Sequence, residues 1–160
     1  MKRILQTILV LFCLVSPVAA VDLVYAPEPV DNPLSGLVPY VGADGRDQFP
    51  HSMEFRYFAF DALMRNWGQF DFGAIERTLQ QTSGRGNQLI LRIYLEYPGK
   101  NNAIPSFLID EGVGVTQWKS DDGLNHTPDY QSPVLRRAMR EFIAAFGKKY
   151  DGDPRVAFIT

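Results

Sequence analysis

Gln88-Leu89-Ile90-Leu91-Arg92-Ile93-Tyr94-Leu95-Glu96-Tyr97-Pro98-Gly99 is the stretch on which the fold turns. Read as a strand of period two, it puts Leu89, Leu91, Ile93 and Leu95 on one face and Ile90, Arg92, Tyr94 and Glu96 on the other. One face is apolar throughout, and the other turns polar toward its C-terminal end. A surface strand of an antiparallel sheet is polar along one whole face. A parallel strand of a (β/α) barrel packs helices outside and holds binding or catalytic groups at the C-terminal end of its inner face. The pattern predicts an α/β fold: a partial (β/α)8 TIM barrel of three to four βα units, with Arg92, Tyr94 and Glu96 at its mouth.

The flanking segments fit this expectation. Met53 to Phe60 is aromatic and strand-like, with Phe55, Tyr57 and Ala59 on one face and Glu54, Arg56, Phe58 and Phe60 on the other. Two opposite charges on one side suggest a polar barrel interior or a cross-strand pair. Asp61 to Gly68 reads as a connection. Asp71 caps a helix running to about Ser83, with Phe72, Ile75 and Leu79 at helical spacing and Gly84 and Gly86 ending it. Strand, helix and strand in succession make a βαβ unit, so the two strands should be parallel neighbours. Leu37 to Val41 is a possible first strand, which Pro39 limits to a short or edge position.

Pro98 to Gln131 reads as a long excursion with one helical turn (Pro105 to Glu111) and a polar run from Lys119 to Tyr130. Loops of that length are functional or disordered; Trp118, His126 and Tyr130 argue against disorder. Ser132-Pro133 is a strong helix start. Leu135, Met139, Phe142, Ile143 and Phe146 form the apolar stripe of that helix, and Arg136, Arg137, Arg140, Lys148 and Lys149 its solvated side. Val156 to Thr160 opens another apolar strand. A complete barrel takes about 250 residues, so the expectation is an N-terminal portion of a longer barrel, with a small complete α/β domain as the alternative. Exposed strand edges would favour self-association.

Residues 1–20 read as a secretory signal peptide: Lys2 and Arg3, an apolar stretch from Ile4 to Val15, and small residues up to Ala20. Residues 21–52 form an extended N-terminal segment holding the possible first strand, and 53–160 the incomplete barrel. The reading places the protein outside the cytoplasm, secreted or periplasmic, with no membrane contact after cleavage. The 160 residues are 46% hydrophobic and 21% charged, a globular composition. Setting Lys2 and Arg3 aside lowers the 16 basic residues to 14 against 18 acidic ones, a formal net charge of −4. That argues against a nucleic-acid partner. The single cysteine, Cys13, lies in the signal segment, so disulfide and thiol chemistry are not expected.

Ser132 to Thr160, with Phe142, Phe146 and Tyr150 spaced by four, then Asp153-Pro154 and an apolar strand, resembles the helix and strand that precede the catalytic acid in barrel glycoside hydrolases of the β-galactosidase and cellulase clan. Asn32-Pro33-Leu34-Ser35-Gly36, Leu91-Arg92-Ile93-Tyr94 and Thr127-Pro128-Asp129-Tyr130 are similar to stretches of secreted bacterial barrel proteins grouped with that clan. The resemblance implies a carbohydrate ligand. It also implies that the catalytic glutamate would follow Thr160 and that the second carboxylate is absent, so no catalytic residue is assigned. Hydrolysis takes two carboxylates flanking the bond, and this chain is expected to be inactive, acting as a binding module or a half-barrel that assembles.

Arg92, Tyr94, Glu96, Trp118, His126, Asp129 and Tyr130 are the candidate sugar-binding residues. Tyr94, Tyr97, Trp118 and Tyr130 offer rings for the C–H faces of a pyranose, and the polar groups offer hydrogen bonds to its hydroxyls. Packing is the alternative for each ring. For Glu96 the alternative is an ion pair with Arg92 or Arg56. His51 and His126 lie far apart, and Asp121-Asp122-Gly123-Asn125 lacks a calcium-loop pattern, so no metal or other cofactor is expected.

Overall fold

A computed structural model describes residue 34 and residues 36–160. The signal-peptide reading of residues 1–20 and the leader that follows lie outside the described residues. The elements are β1 (Met53–Ala59), α1 (Phe60–Leu63), β2 (Met64–Asn66), β3 (Gln69–Phe70), α2 (Gly73–Ser83), β4 (Gln88–Tyr94), α3 (Ser106–Asp110), β5 (Val115–Ser120), β6 (Gly123–Pro128), α4 (Pro133–Tyr150) and β7 (Val156–Ile159).

β1, β4 and β7 form a parallel sheet with β4 in the middle. The β1–β4 register runs from Met53 opposite Gln88 to Ala59 opposite Tyr94. Leu89 and Leu91 are fully buried, and so are Ile75 and Leu79 of α2 and Leu135 and Ala138 of α4. These residues share one core with Phe58, Phe142, Phe146 and Tyr150, so both long helices cover the same face of the sheet. α4 starts where Ser132 Oγ accepts from the Leu135 amide at 3.4 Å and Pro133 occupies the first turn. Ile143 lies off the buried stripe at 62% exposure. The opposite face, with Tyr57, Arg92 and Tyr94, has no helix over it among the described residues.

The half-barrel expectation is overturned. Among the described residues the parallel sheet has three strands, and the other four strands pair as two antiparallel hairpins, β2–β3 and β5–β6. Residues 37–41 supply one bridge, Tyr40 to Phe55, rather than a strand. A strand–helix–strand repeat with one apolar face serves an open two-layer sheet as well as a barrel. Closure depends on strand number and stagger, which the pattern in β4 does not encode. β7 lies at an edge of the sheet among the described residues, with Phe158 and Ile159 exposed.

The charges on β1 do not line a polar interior. Glu54 and Arg56 share the helix-covered face. Arg85 grips the fully buried Glu54 with Nε at 2.8 Å and Nη2 at 2.7 Å, and Asn87 adds a bond at 3.1 Å. Burial pushes the Glu54 carboxyl up, but these donors outweigh it and hold it below the ordinary glutamate value. Arg56 donates to Thr78 Oγ1 at 3.2 Å.

Candidate functional site

Beyond Tyr94 the chain leaves the sheet as Leu95-Glu96-Tyr97-Pro98-Gly99-Lys100 and turns where the Lys100 amide bonds the Tyr97 carbonyl at 3.1 Å. The β5–β6 hairpin stands against this loop. Its β-branched and aromatic start, Val115-Thr116-Gln117-Trp118, favours extended backbone. Its tip is Asp121-Asp122, followed by Gly123 at φ 107°. There only glycine is comfortable.

Two side chains bolt the hairpin to the loop. Asn125, 4% exposed, accepts from the Gly99 amide at 3.1 Å and donates to Ser120 Oγ and the Gly123 carbonyl at 2.8 and 3.0 Å. His126 sets Nδ1 3.1 Å from the Lys100 carbonyl and Nε2 3.2 Å from the Gln117 amide nitrogen. With Nδ1–H donating, Nε2 accepts, so both ring nitrogens are engaged in a neutral tautomer.

Between loop and hairpin lies a cleft of about 190 Å³. Glu96, Tyr97 and Pro98 line one wall, and Trp118, Asn125, His126 and Thr127 the other. The volume lies below the ~300–1,000 Å³ of pockets that enclose drug-sized ligands, which suits one ring of a larger molecule. Trp118 is 49% exposed, and its Nε1–H donates to Thr127 Oγ1 at 2.9 Å, fixing the indole plane. Tyr130 donates its hydroxyl to Glu96 Oε1 at 3.1 Å. Burial, then the charge and hydrogen bond of Glu96, push the Tyr130 hydroxyl up to about 12.

Glu96, Trp118 and His126 therefore meet in one cleft, with Tyr130 at Glu96. Tyr94 lies just beneath: its ring meets Tyr97 edge-on at 5.5 Å and Tyr57 at 6.3 Å. Burial raises its hydroxyl first, followed by Asp61 and Tyr97. Arg92 stands apart on the open sheet face. Its guanidinium lies 5.7 Å from the Phe55 ring centre and 5.6 Å from that of Tyr57, and Nε donates to Thr160 Oγ1 at 3.0 Å. The expected pairing of Glu96 with an arginine is replaced by the Tyr130 bond. Asp129 is a turn residue: its backbone amide bonds the Gly114 carbonyl at 2.8 Å and its Oδ1 the Gln131 amide at 2.9 Å.

Sequence reasoning passed over Asn125, Thr127 and Pro98 as site residues. Reading β5 and β6 as a hairpin would have found the first two: Trp118 pairs with Asn125, and Thr127, two residues on, shares their face of the ladder, while His126 pairs with Gln117 on the other face; Pro98, on the loop after β4, carried no such signal. Among the described residues no group of three or more His, Cys, Asp or Glu gathers as a metal site, and no helix is long and apolar enough to cross a membrane. In the cleft, Glu96 is the one carboxylate, flanked by two aromatic walls and by amide and hydroxyl groups. This arrangement can hold a ring-shaped polar molecule; it does not present the opposed carboxylates that glycoside hydrolysis takes. The chain matches no known family model and no curated protein.

Proposed function

We propose that this protein binds carbohydrate in the cleft between the loop after β4 and the β5–β6 hairpin, without hydrolysing it. The observation that carries the reading is the half-exposed Trp118 indole, held rigid by Thr127, facing a wall of Glu96 and Tyr97. A pyranose is amphipathic: its axial C–H groups pack on an aromatic plane while its hydroxyls meet the Glu96 carboxylate in the wall. The cleft offers both kinds of surface within one ring's reach. The resemblance of residues 132–160 to part of barrel glycoside hydrolases adds sugar as the ligand class. With residues 1–20 read as a signal peptide, the ligand is a polysaccharide or oligosaccharide met after export.

The test is titration of the protein with soluble oligosaccharides, followed by Trp fluorescence and by calorimetry, with reducing-end release monitored in parallel. Saturable binding without turnover is expected, and Trp118→Ala should weaken it about tenfold, roughly 1.4 kcal/mol. Absence of binding across neutral, amino and acidic oligosaccharides refutes the reading. Catalytic release of sugar refutes the non-hydrolytic part of it.

A further inference from the structure

Glu96 is half-buried in the cleft wall, and its Oε1 accepts from the uncharged Tyr130 hydroxyl. Among the described residues no Lys, Arg or His forms an ion pair with it, although Glu54, Glu76, Asp153 and Glu141 all have such partners. A carboxylate withdrawn from water without a cation carries a desolvation cost that a cationic ligand would offset. The surrounding chemistry favours a cation as well. Trp118 and Tyr97 line the same cleft, and aromatic faces attract positive charge. The Tyr97 ring already holds one: Lys100 Nζ lies 4.9 Å from its centre. Lys100 is itself outside the cleft lining, and its charge opposes a second cation nearby.

Building on the sugar-binding reading above, we propose that the cleft selects a protonated amino sugar, its ammonium on the free oxygen of Glu96 and its ring between Trp118 and Tyr97. A hexose hydroxyl can donate to the same carboxylate, but an ammonium adds the attraction of two opposite charges to that hydrogen bond. An N-acetylated sugar has lost the charge and adds bulk at the same position. Lys100 sets the strength of the preference through repulsion across Tyr97.

The experiment compares three trisaccharides on the full chain by calorimetry, at a pH where the amine is protonated: β-1,4-linked glucosamine, its N-acetylated counterpart and the neutral glucose analogue. The amine is expected to bind about tenfold tighter than either other sugar. That ratio should fall to about one in Glu96→Gln and rise several-fold in Lys100→Met. Equal affinities in the unsubstituted protein, or a preference that survives Glu96→Gln, overturn the proposal while leaving sugar binding intact. If Glu96→Gln does not fold, the Lys100→Met ratio decides: an unchanged or smaller preference refutes the role given to charge. Binding of none of the three sinks the sugar-binding reading and this proposal with it.

Discussion

Replacing Gly99 by alanine separates the two walls of the cleft. Gly99 has φ +67°, and a Cβ built on it lies 2.5 Å from the Asp122 carbonyl oxygen at the hairpin tip. The left-handed conformation alone costs an alanine about 1–2 kcal/mol. The clash is with backbone, so no side chain can swing aside; the tip must retreat by roughly 1 Å to restore ordinary contact. Retreat strains the Gly99–Asn125 bond at 3.1 Å and the His126–Lys100 bond at 3.1 Å. Each is worth about 1 kcal/mol. Gly112→Ala is the control, because Gly112 has φ +94° and nothing within 4 Å of the added Cβ. Urea unfolding should then place Gly99→Ala about 2 kcal/mol below Gly112→Ala. Amide exchange should speed up in β5 and β6 while β4 stays protected. If the two variants agree to within about 0.5 kcal/mol, the clamp does not hold the hairpin and the preformed cleft is wrong.

The Glu54 carboxyl is held below its ordinary value of 4.5, so its contribution is complete above that pH and is lost as pH falls through the lower folded value. Thermal melts should show an acid-side decline that is shallower in Glu54→Gln. At neutral pH that variant should lose about 1–2 kcal/mol, less than a fully buried pair would, since the Arg85 side chain is 32% exposed. Phe142 meets the rings of Phe60, Phe70, Phe72 and Phe146, so Phe142→Ala should cost about 3–5 kcal/mol. Its neighbour Ile143, 62% exposed, should tolerate Ile143→Lys within about 0.5 kcal/mol; comparable losses from both would contradict the placement of α4. Tyr130→Phe should remove one tyrosine from those ionising near pH 12 in an absorbance titration. Loss of that amplitude from the part of the curve near the ordinary tyrosine value instead would mean that Tyr130 does not face Glu96.

Local signals in this chain were legible where one residue type decides the backbone. Ser132-Pro133 marks the start of α4, and Leu89 and Leu91 mark the buried face of β4. The parallel pairing of β1 with β4 follows from the helix between them. What escaped depends on partners distant in sequence. Whether a parallel sheet closes is decided at its edges, so the barrel inferred from β4 did not follow. The charges of β1 pointed to an interior because Arg85, 31 residues on from Glu54, gives no local sign of its grip. The β5–β6 hairpin was masked by the polarity of residues 119–130: both its strands are short, and β5 is almost wholly exposed. Asp122-Gly123 was the available turn signal. The candidate site was legible residue by residue, through Glu96, Trp118, His126 and Tyr130, but its wall was not. Asn125 looked like a loop residue and is the bolt between loop and hairpin.

The hairpin begins and ends at the same place. Val115 pairs with Pro128, and the Asp129 amide closes the base on the Gly114 carbonyl at 2.8 Å. It is therefore an interchangeable cassette, inserted between two anchor points that lie a strand spacing apart. A short turn bridging Gly114 to Asp129 leaves β1, α2, β4 and α4 their full core. A different cassette on the same anchors brings new walls to Glu96 and Tyr97. The lining of the cleft can thus change over fourteen positions, 115–128, while the strands and helices that hold the buried core stay as they are.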